Sequence, residues 1–146
     1  MKNVKNNKGF SLVELIIVIA IMAVLIGILA PQYMKYVERS RLSADNDYID
    51  SVRQACETAV SDPSTQITNN FTVTFSTAGD PTINDATAQS EIDNIIDIDG
   101  GDGALTSRTY QNAGAANMPV ITVEWNPDPM NNNILVPEVT VTNVLQ

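Results

Sequence analysis

Residues 10–30 read FSLVELIIVIAIMAVLIGILA, and this stretch decides how the rest of the chain is organised. Ser11 and Glu14 are its clearly polar side chains, so the rest forms an almost continuous apolar run. As an α-helix the run would span about 32 Å, because each residue adds about 1.5 Å, and that length crosses the hydrocarbon core of a bilayer. The sequence therefore predicts a membrane-spanning helix near the amino terminus.

The residues before the apolar run are few and basic. Residues 1–9 read MKNVKNNKG, with lysines and no acid. A secretory signal peptide would have a shorter apolar segment that ends in a small-x-small cleavage site. Here the run continues directly into an amphipathic helical pattern, which favours an anchor that is retained. Because so short an amino terminus cannot hold a folded domain, we expect the rest of the chain to lie outside the membrane.

Composition and charge exclude several classes of function. The chain has 146 residues, one Cys and no His, so an internal disulfide, a His-ligated metal centre and a His-dependent triad are impossible. Residues 1–53 carry seven basic and five acidic side chains (+2), whereas residues 54–146 carry one and twelve (−11), which gives −9 in total. The acidic portion argues against nucleic acid as a partner. Without a nucleophile motif or a phosphate-binding loop, neither an enzyme nor a cofactor is predicted.

Glu14 is the anomaly within the apolar run. A carboxylate at the centre of a membrane helix costs about 2.5–3.5 kcal/mol, and less near an end. One interpretation is a side chain that extends to the lipid headgroups. The other is a buried carboxylate that awaits a cationic partner, since buried charges persist when they are paired.

The start of the chain resembles a type IV prepilin in Lys8-Gly9, in Phe10-Ser11-Leu12-Val13-Glu14, and in the apolar helix that follows. The prepilin motif is a short basic leader that ends in Gly, an aromatic first mature residue, and Glu as the fifth mature residue. The resemblance covers about residues 1–55. It implies an α+β fold in which a long helix packs on a small antiparallel sheet.

The resemblance also implies a processing and assembly route. A membrane peptidase would cut between Gly9 and Phe10 and methylate the new amino terminus of Phe10. Glu14 would then pair with the Phe10 ammonium of a neighbouring subunit, because cleavage supplies the cation that the carboxylate lacks in a low-dielectric setting. The implied partners are further copies of the chain, the prepilin peptidase and methylase, the membrane assembly platform with its motor ATPase, and the lipid bilayer. The implied location is the cytoplasmic membrane, with the head outside, and then an extracellular filament.

We divide the chain by sequence into four segments: a leader (1–9), a transmembrane or filament-core helix (10–31), the amphipathic half of that helix (32–61) and a head (62–146). Within the amphipathic half, apolar side chains recur at helical spacing: Leu42, Ile49, Val52, Cys56 and Val60. Charged side chains are expected on the opposite face: Glu38, Arg39, Arg41, Asp45, Asp50 and Arg53. The segment Asp62-Pro63-Ser64 is expected to end the helix.

Gly27 and Pro31 mark the weakest point of the predicted helix. Pro31 lacks an N–H and crowds the carbonyl of Gly27, which is itself a poor helix former in water. One interpretation is a tolerated kink where the chain leaves the membrane. The other is a stretch that loosens in the filament and lets the core extend.

The head is predicted to be β-rich. Alternating apolar residues predict strands at 71–75, 120–125 and 134–144, the last two joined by a turn at 126–133. Residues 84–98 predict a short helix or a packed loop. Pro137 argues for an edge or a bulge in the last strand. Packing this sheet on the helix would bury Ile49, Val52 and Cys56 and leave Thr-rich faces outside.

Two further features of the sequence have a structural interpretation beside a functional one. Asp97, Asp99 and Asp102 on a Gly-rich loop could bind calcium, but the loop lacks the long spacing to a bidentate Glu, which favours a solvated turn. Cys56 is expected to be a buried structural thiol. Many pilins of Gram-negative bacteria close their carboxyl-terminal region with a disulfide, and this chain departs from that pattern.

Three functions stay open at this point. The first is the structural subunit of a type IV pilus. The second is a pseudopilin of a type II secretion or competence system, which shares the helix motif. The third is a single-pass membrane protein whose head binds a ligand without polymerising, and it predicts an uncut leader and tolerance of Glu14→Ala.

Overall fold

The computed structural model describes residues 10–98, 103–131 and 134–145, and the structural statements below concern these ranges. The elements in chain order are α1 (Leu12–Ser61), β1 (Phe71–Thr74), β2 (Thr82–Ile83), α2 (Ala86–Asp93), α3 (Arg108–Ala113), a 3-10 helix (Ala115–Asn117), β3 (Val120–Pro127) and β4 (Leu135–Thr142). The predicted α+β class is confirmed. The chain divides into two compact units, a first unit that ends at Val37 and a second unit that begins at Glu38.

Helix α1 is continuous from Leu12 to Ser61 and includes Pro31. It ends where the sequence predicts, at the residue before Asp62. The Asp62 carboxylate accepts a hydrogen bond from the backbone N–H of Ser64 at 2.8 Å, which lowers the pKa of this exposed carboxyl group. The Thr65 hydroxyl donates to the carbonyl of Ala59 at 2.8 Å and so satisfies an acceptor that the helix end leaves open.

The four strands form one antiparallel sheet in the order β2-β1-β3-β4. The predicted strands at 71–75, 120–125 and 134–144 correspond to β1, β3 and β4, and the helix within 84–98 is α2. Strand β4 lies at an edge of the sheet, where Pro137 pairs opposite Trp125. The edge prediction for Pro137 is therefore confirmed.

The core of the second unit lies between the carboxyl-terminal half of α1 and one face of the sheet. Ile49, Val52 and Cys56 are buried, as the helical spacing predicts. The sheet contributes alternate residues, because successive side chains of a strand point to opposite faces. Those that the core takes from β1 and β3 are Phe71, Val73, Ile121 and Val123.

The prediction that Asp45 lies on the solvent face of α1 is wrong. Asp45 is only 5% exposed. Its carboxylate accepts hydrogen bonds from the backbone N–H of Thr106 at 3.0 and 3.1 Å, from the Thr106 hydroxyl at 3.2 Å and from the N–H of Ser107 at 2.8 Å. The sequence analysis did not predict helix α3. The start of this helix, at its N-cap Ser107, brings backbone N–H donors to Asp45 on α1.

A second polar contact holds the carboxyl-terminal residues against α1. The Tyr110 hydroxyl donates to Asn46 Oδ1 at 2.8 Å and accepts from the N–H of Leu145 at 3.0 Å. Asn46 Nδ2 in turn donates to the Leu145 carbonyl at 3.1 Å. Burial raises the pKa of Tyr110 above its usual value. These hydrogen bonds hold the end of the chain to α1 without a disulfide.

Replacing Asp45 by Ala should destabilise the second unit by about 3 kcal/mol, because the N–H groups of Thr106 and Ser107 lose a charged acceptor inside the protein. Unfolding of the full chain in detergent by urea, followed through the fluorescence of the single Trp125, measures the change. Asp47→Ala is the matched control, because Asp47 is exposed and its replacement removes the same charge. Equal stabilities of the two variants would contradict a buried anchoring role for Asp45.

Candidate functional site

The first unit presents a helix whose apolar side chains have no cover within the described residues. The apolar first part of α1 is not buried within the described residues, and α1 has the length and composition to cross a membrane. The large apolar side chains that are exposed between residues 10 and 36 are Phe10, Leu12, Val13, Leu15, Ile16, Ile17, Val18, Ile19, Ile21, Met22, Val24, Leu25, Ile26, Ile28, Leu29, Tyr33, Met34 and Tyr36. A surface this large and apolar needs lipid or other protein around it.

Glu14 takes part in the start of α1. Ser11 precedes the first helical residue, Leu12, so Glu14 stands at the third helical position. Its Oε2 accepts a hydrogen bond from the backbone N–H of Ser11 at 2.9 Å. This is one half of a capping box, in which a Glu three residues after a Ser satisfies an open N–H at a helix start. The sequence analysis missed this role, although the spacing of Ser11 and Glu14 carries the signal.

The hydrogen bond positions the carboxylate close to the predicted mature terminus. Phe10 is 88% exposed and directly precedes Ser11, whose N–H holds the Glu14 carboxylate. Glu14 Oε1 makes no hydrogen bond within the described part of the chain, so one oxygen stays free for a further donor. Gly9, the other half of the predicted cleavage site, lies outside the described residues.

Gly27 and Pro31 both lie within α1 and both are exposed. A Cβ added to Gly27 would meet no atom within 4 Å, so no neighbouring side chain requires a glycine there. The structure shows both residues in a helix, which is compatible with a tolerated kink and with a stretch that loosens in the filament.

The calcium hypothesis rests largely on residues that the structure does not describe. Asp97 is exposed, whereas Asp99 and Asp102 lie outside the described residues. No group of three or more potential ligands that could hold a metal ion occurs in the described part of the chain. Nearby, Asp80 Oδ1 accepts from the N–H of Gly103 at 3.1 Å and so helps to fix the end of this loop.

Cys56 is a buried free thiol, as predicted. Burial raises its pKa to about 12, so the reactive thiolate is scarce at neutral pH. The side chain belongs to the core between α1 and the sheet. Its role in the described structure is packing.

Comparison with known proteins adds independent information. The family model described as the prokaryotic N-terminal methylation motif matches residues 4–30. A type IV major fimbrial protein FimA of Dichelobacter nodosus is 33% identical over 133 residues, which cover 84% of this chain and 82% of that protein.

Other matches cover a shorter part of each chain. Another FimA of Dichelobacter nodosus is 46% identical over 55 residues, which cover 38% of this chain and 35% of the relative. A fimbrial protein of Pseudomonas aeruginosa is 38% identical over 56 residues, which cover 38% of this chain and 36% of the relative. In these two matches the chain spans about a third of the relatives' length. No solved structure matches the chain.

Proposed function

The chain belongs to the type IV pilin family, and from that membership we propose that it assembles with further copies of itself into an extracellular filament. The observation that carries this proposal is the uncovered apolar half of α1, which carries a single carboxylate near its start. Helices with such a surface can pack together out of water. The names of the relatives, which are fimbrial proteins, support a pilus subunit over a pseudopilin or a non-polymerising membrane protein.

Before assembly, we propose, the subunit is stored in the cytoplasmic membrane with its head outside. The length and hydropathy of the first part of α1 support this location. The acidic head, with a net charge of −11 over residues 54–146, stays in water. The assembly platform would then move the apolar helix from lipid into the filament core.

Processing precedes assembly in this proposal. A prepilin peptidase would cut between Gly9 and Phe10 and methylate Phe10, as the match to the methylation motif over residues 4–30 supports. The cut creates an ammonium group two residues before the helix begins. Methylation keeps the positive charge on this group.

The new ammonium group gives Glu14 a partner. One oxygen of its carboxylate is held by the Ser11 N–H, and the other is free within the described residues. We propose that the free oxygen accepts from the Phe10 ammonium of a neighbouring subunit. In a low-dielectric filament core this attraction exceeds its value in water several-fold. The charge pair would therefore select subunits that have been cut.

Glu14→Ala and Glu14→Gln should both insert and be cleaved normally but join filaments at least about tenfold less efficiently, because each removes a buried ion pair. Glu14→Gln is the informative control, since its amide oxygen can still cap the Ser11 N–H. Electron microscopy of sheared appendages, with peptide identification of this chain, measures assembly. Wild-type piliation by Glu14→Gln with failure of Glu14→Ala would assign the effect to capping and reject the charge pair.

Gly9→Ala should slow or partly block cleavage, because a Cβ at the scissile residue must enter the peptidase site. The expected product is a precursor that accumulates in the membrane. Mass spectrometry of the amino-terminal peptide reports both the cut and the methyl group. The processing step would be refuted if the chain in filaments purified from cells still carried the nine-residue prefix.

The Gly27–Pro31 stretch is proposed to loosen when subunits pack in the filament. Pro31 supplies no N–H to the helix, so fewer hydrogen bonds hold this stretch than hold its neighbours. A filament reconstruction should then show a rise per residue above the roughly 1.5 Å of an α-helix through residues 27–31. An unbroken helical rise there would reject the loosening and favour the tolerated kink.

A further inference from the structure

The sheet of the second unit has two edges, and they differ in length. Strand β2 forms one edge and consists of two residues, Thr82 and Ile83, so another strand would have little to pair with there. Strand β4 forms the other edge, from Leu135 to Thr142, and pairs only with β3 within the described residues. The long edge of the sheet is therefore the free side of β4.

The composition of β4 favours pairing with a further strand. A free edge exposes backbone N–H and C=O groups that can bind another chain, and proteins often protect such edges with charged side chains, lysine above all. The sequence of β4, LVPEVTVT, contains no lysine and is rich in the β-branched residues that strands prefer. Its one charged side chain, Glu138, accepts a hydrogen bond from Asn126 Nδ2 of β3 at 2.8 Å. Charge therefore gives this edge little protection.

The hydrogen bonds on the two sides of β3 show which residues of β3 and β4 bond to each other. The N–H of Trp125 donates to Asn70 Oδ1 at 2.9 Å, and Asn70 directly precedes β1, so this N–H points away from β4. The N–H of Asp128 donates to the carbonyl of Ile134 at 2.8 Å and extends the β3–β4 ladder through the even-numbered residues. Residue pairs of an antiparallel ladder alternate between bonded and non-bonded. Trp125 and Pro137, which lie opposite each other, are therefore a non-hydrogen-bonded pair.

The nitrogen of Pro137 consequently lies on the free edge of β4. In the same register the N–H groups that point outward belong to Leu135, Val139 and Val141, and Pro137 interrupts their row because a proline has no N–H. Within the subunit the proline costs no ladder hydrogen bond, since the residues on either side of it are the ones that bond to β3. Pro137 therefore weakens only the pairing of a strand that approaches from outside.

We propose that Pro137 prevents the β4 edges of two copies of this chain from pairing as strands. In a symmetric antiparallel pair both copies present the same edge, so the missing N–H and the proline ring are met twice. Pro137 is the third of the eight residues of β4, so a pairing that uses most of the strand cannot avoid it. The block is a property of the single subunit, whether or not that subunit joins a filament.

Pro137→Val restores the N–H and removes the ring, so the full chain in excess detergent should self-associate at least about tenfold more tightly than wild type. Size-exclusion chromatography with light scattering over a concentration series measures the association. About 0.5 M NaCl in the buffer screens the repulsion between the acidic heads. Hydrogen exchange locates the contact: the N–H groups of Val139 and Val141 should exchange slowly in the associated variant and fast in wild type.

Two controls separate the free edge from the loss of a proline as such. Pro129→Val removes an exposed proline from the turn before β4 and should behave like wild type. Combining Pro137→Val with Val139→Pro moves the missing donor to the next outward-facing residue and should return association to the wild-type level.

Urea unfolding followed by Trp125 fluorescence checks that each variant folds, and Pro137→Thr repeats the test with another strand-forming residue. Three results would each overturn the proposal. The first is wild-type association of folded Pro137→Val and Pro137→Thr. The second is association in which Val139 and Val141 still exchange fast. The third is association that persists when the proline is moved to residue 139.

Discussion

The apolar half of α1 can never be left in water, and the rest of the molecule is arranged around that constraint. Burial of one large apolar side chain is worth about 1.5–3 kcal/mol, so exposing the whole stretch from Phe10 to Tyr36 would cost tens of kcal/mol. The first unit has no fold of its own to cover this surface within the described residues. Its surroundings must therefore be lipid or other protein. The second unit has a core of its own and carries the charge that keeps it in water.

Glu14 is compatible with that constraint because its charge is supported from the start of the helix. The Ser11 N–H holds one oxygen, and the positive end of the helix dipole favours an anion at this position. Both effects would reduce the cost of keeping a carboxylate in lipid. A carboxylate fixed in this way is preorganised for a donor near Phe10. In the proposed assembly, capping and charge pairing would be successive uses of the same side chain.

The sequence predicts the elements whose burial follows a simple period, and misses those that depend on tertiary contacts. Helix α1 and the strands at Phe71, Val120 and Leu135 follow from apolar spacing alone. Strand β2 has two residues, too few to show an alternation. Helix α3 has no apolar stripe from which it could be predicted. Its start is held instead by Asp45 and Glu38, which come from a distant part of the chain. Asp45 was assigned to the solvent face of α1 for the same reason. A carboxylate is buried only where hydrogen-bond donors from another part of the chain meet it, and the spacing of residues does not show those donors. In the candidate site, the motif residues could be read directly, whereas the bond between Ser11 and Glu14 required the structure.

The carboxyl-terminal half of α1 organises the head through polar as well as apolar contacts. Its apolar face packs against the sheet, while Glu38 and Asp45 hold the start of α3 and Asn46 holds the last residues through Tyr110. The same few turns of α1 thus hold the sheet, the start of α3 and the carboxyl-terminal residues together.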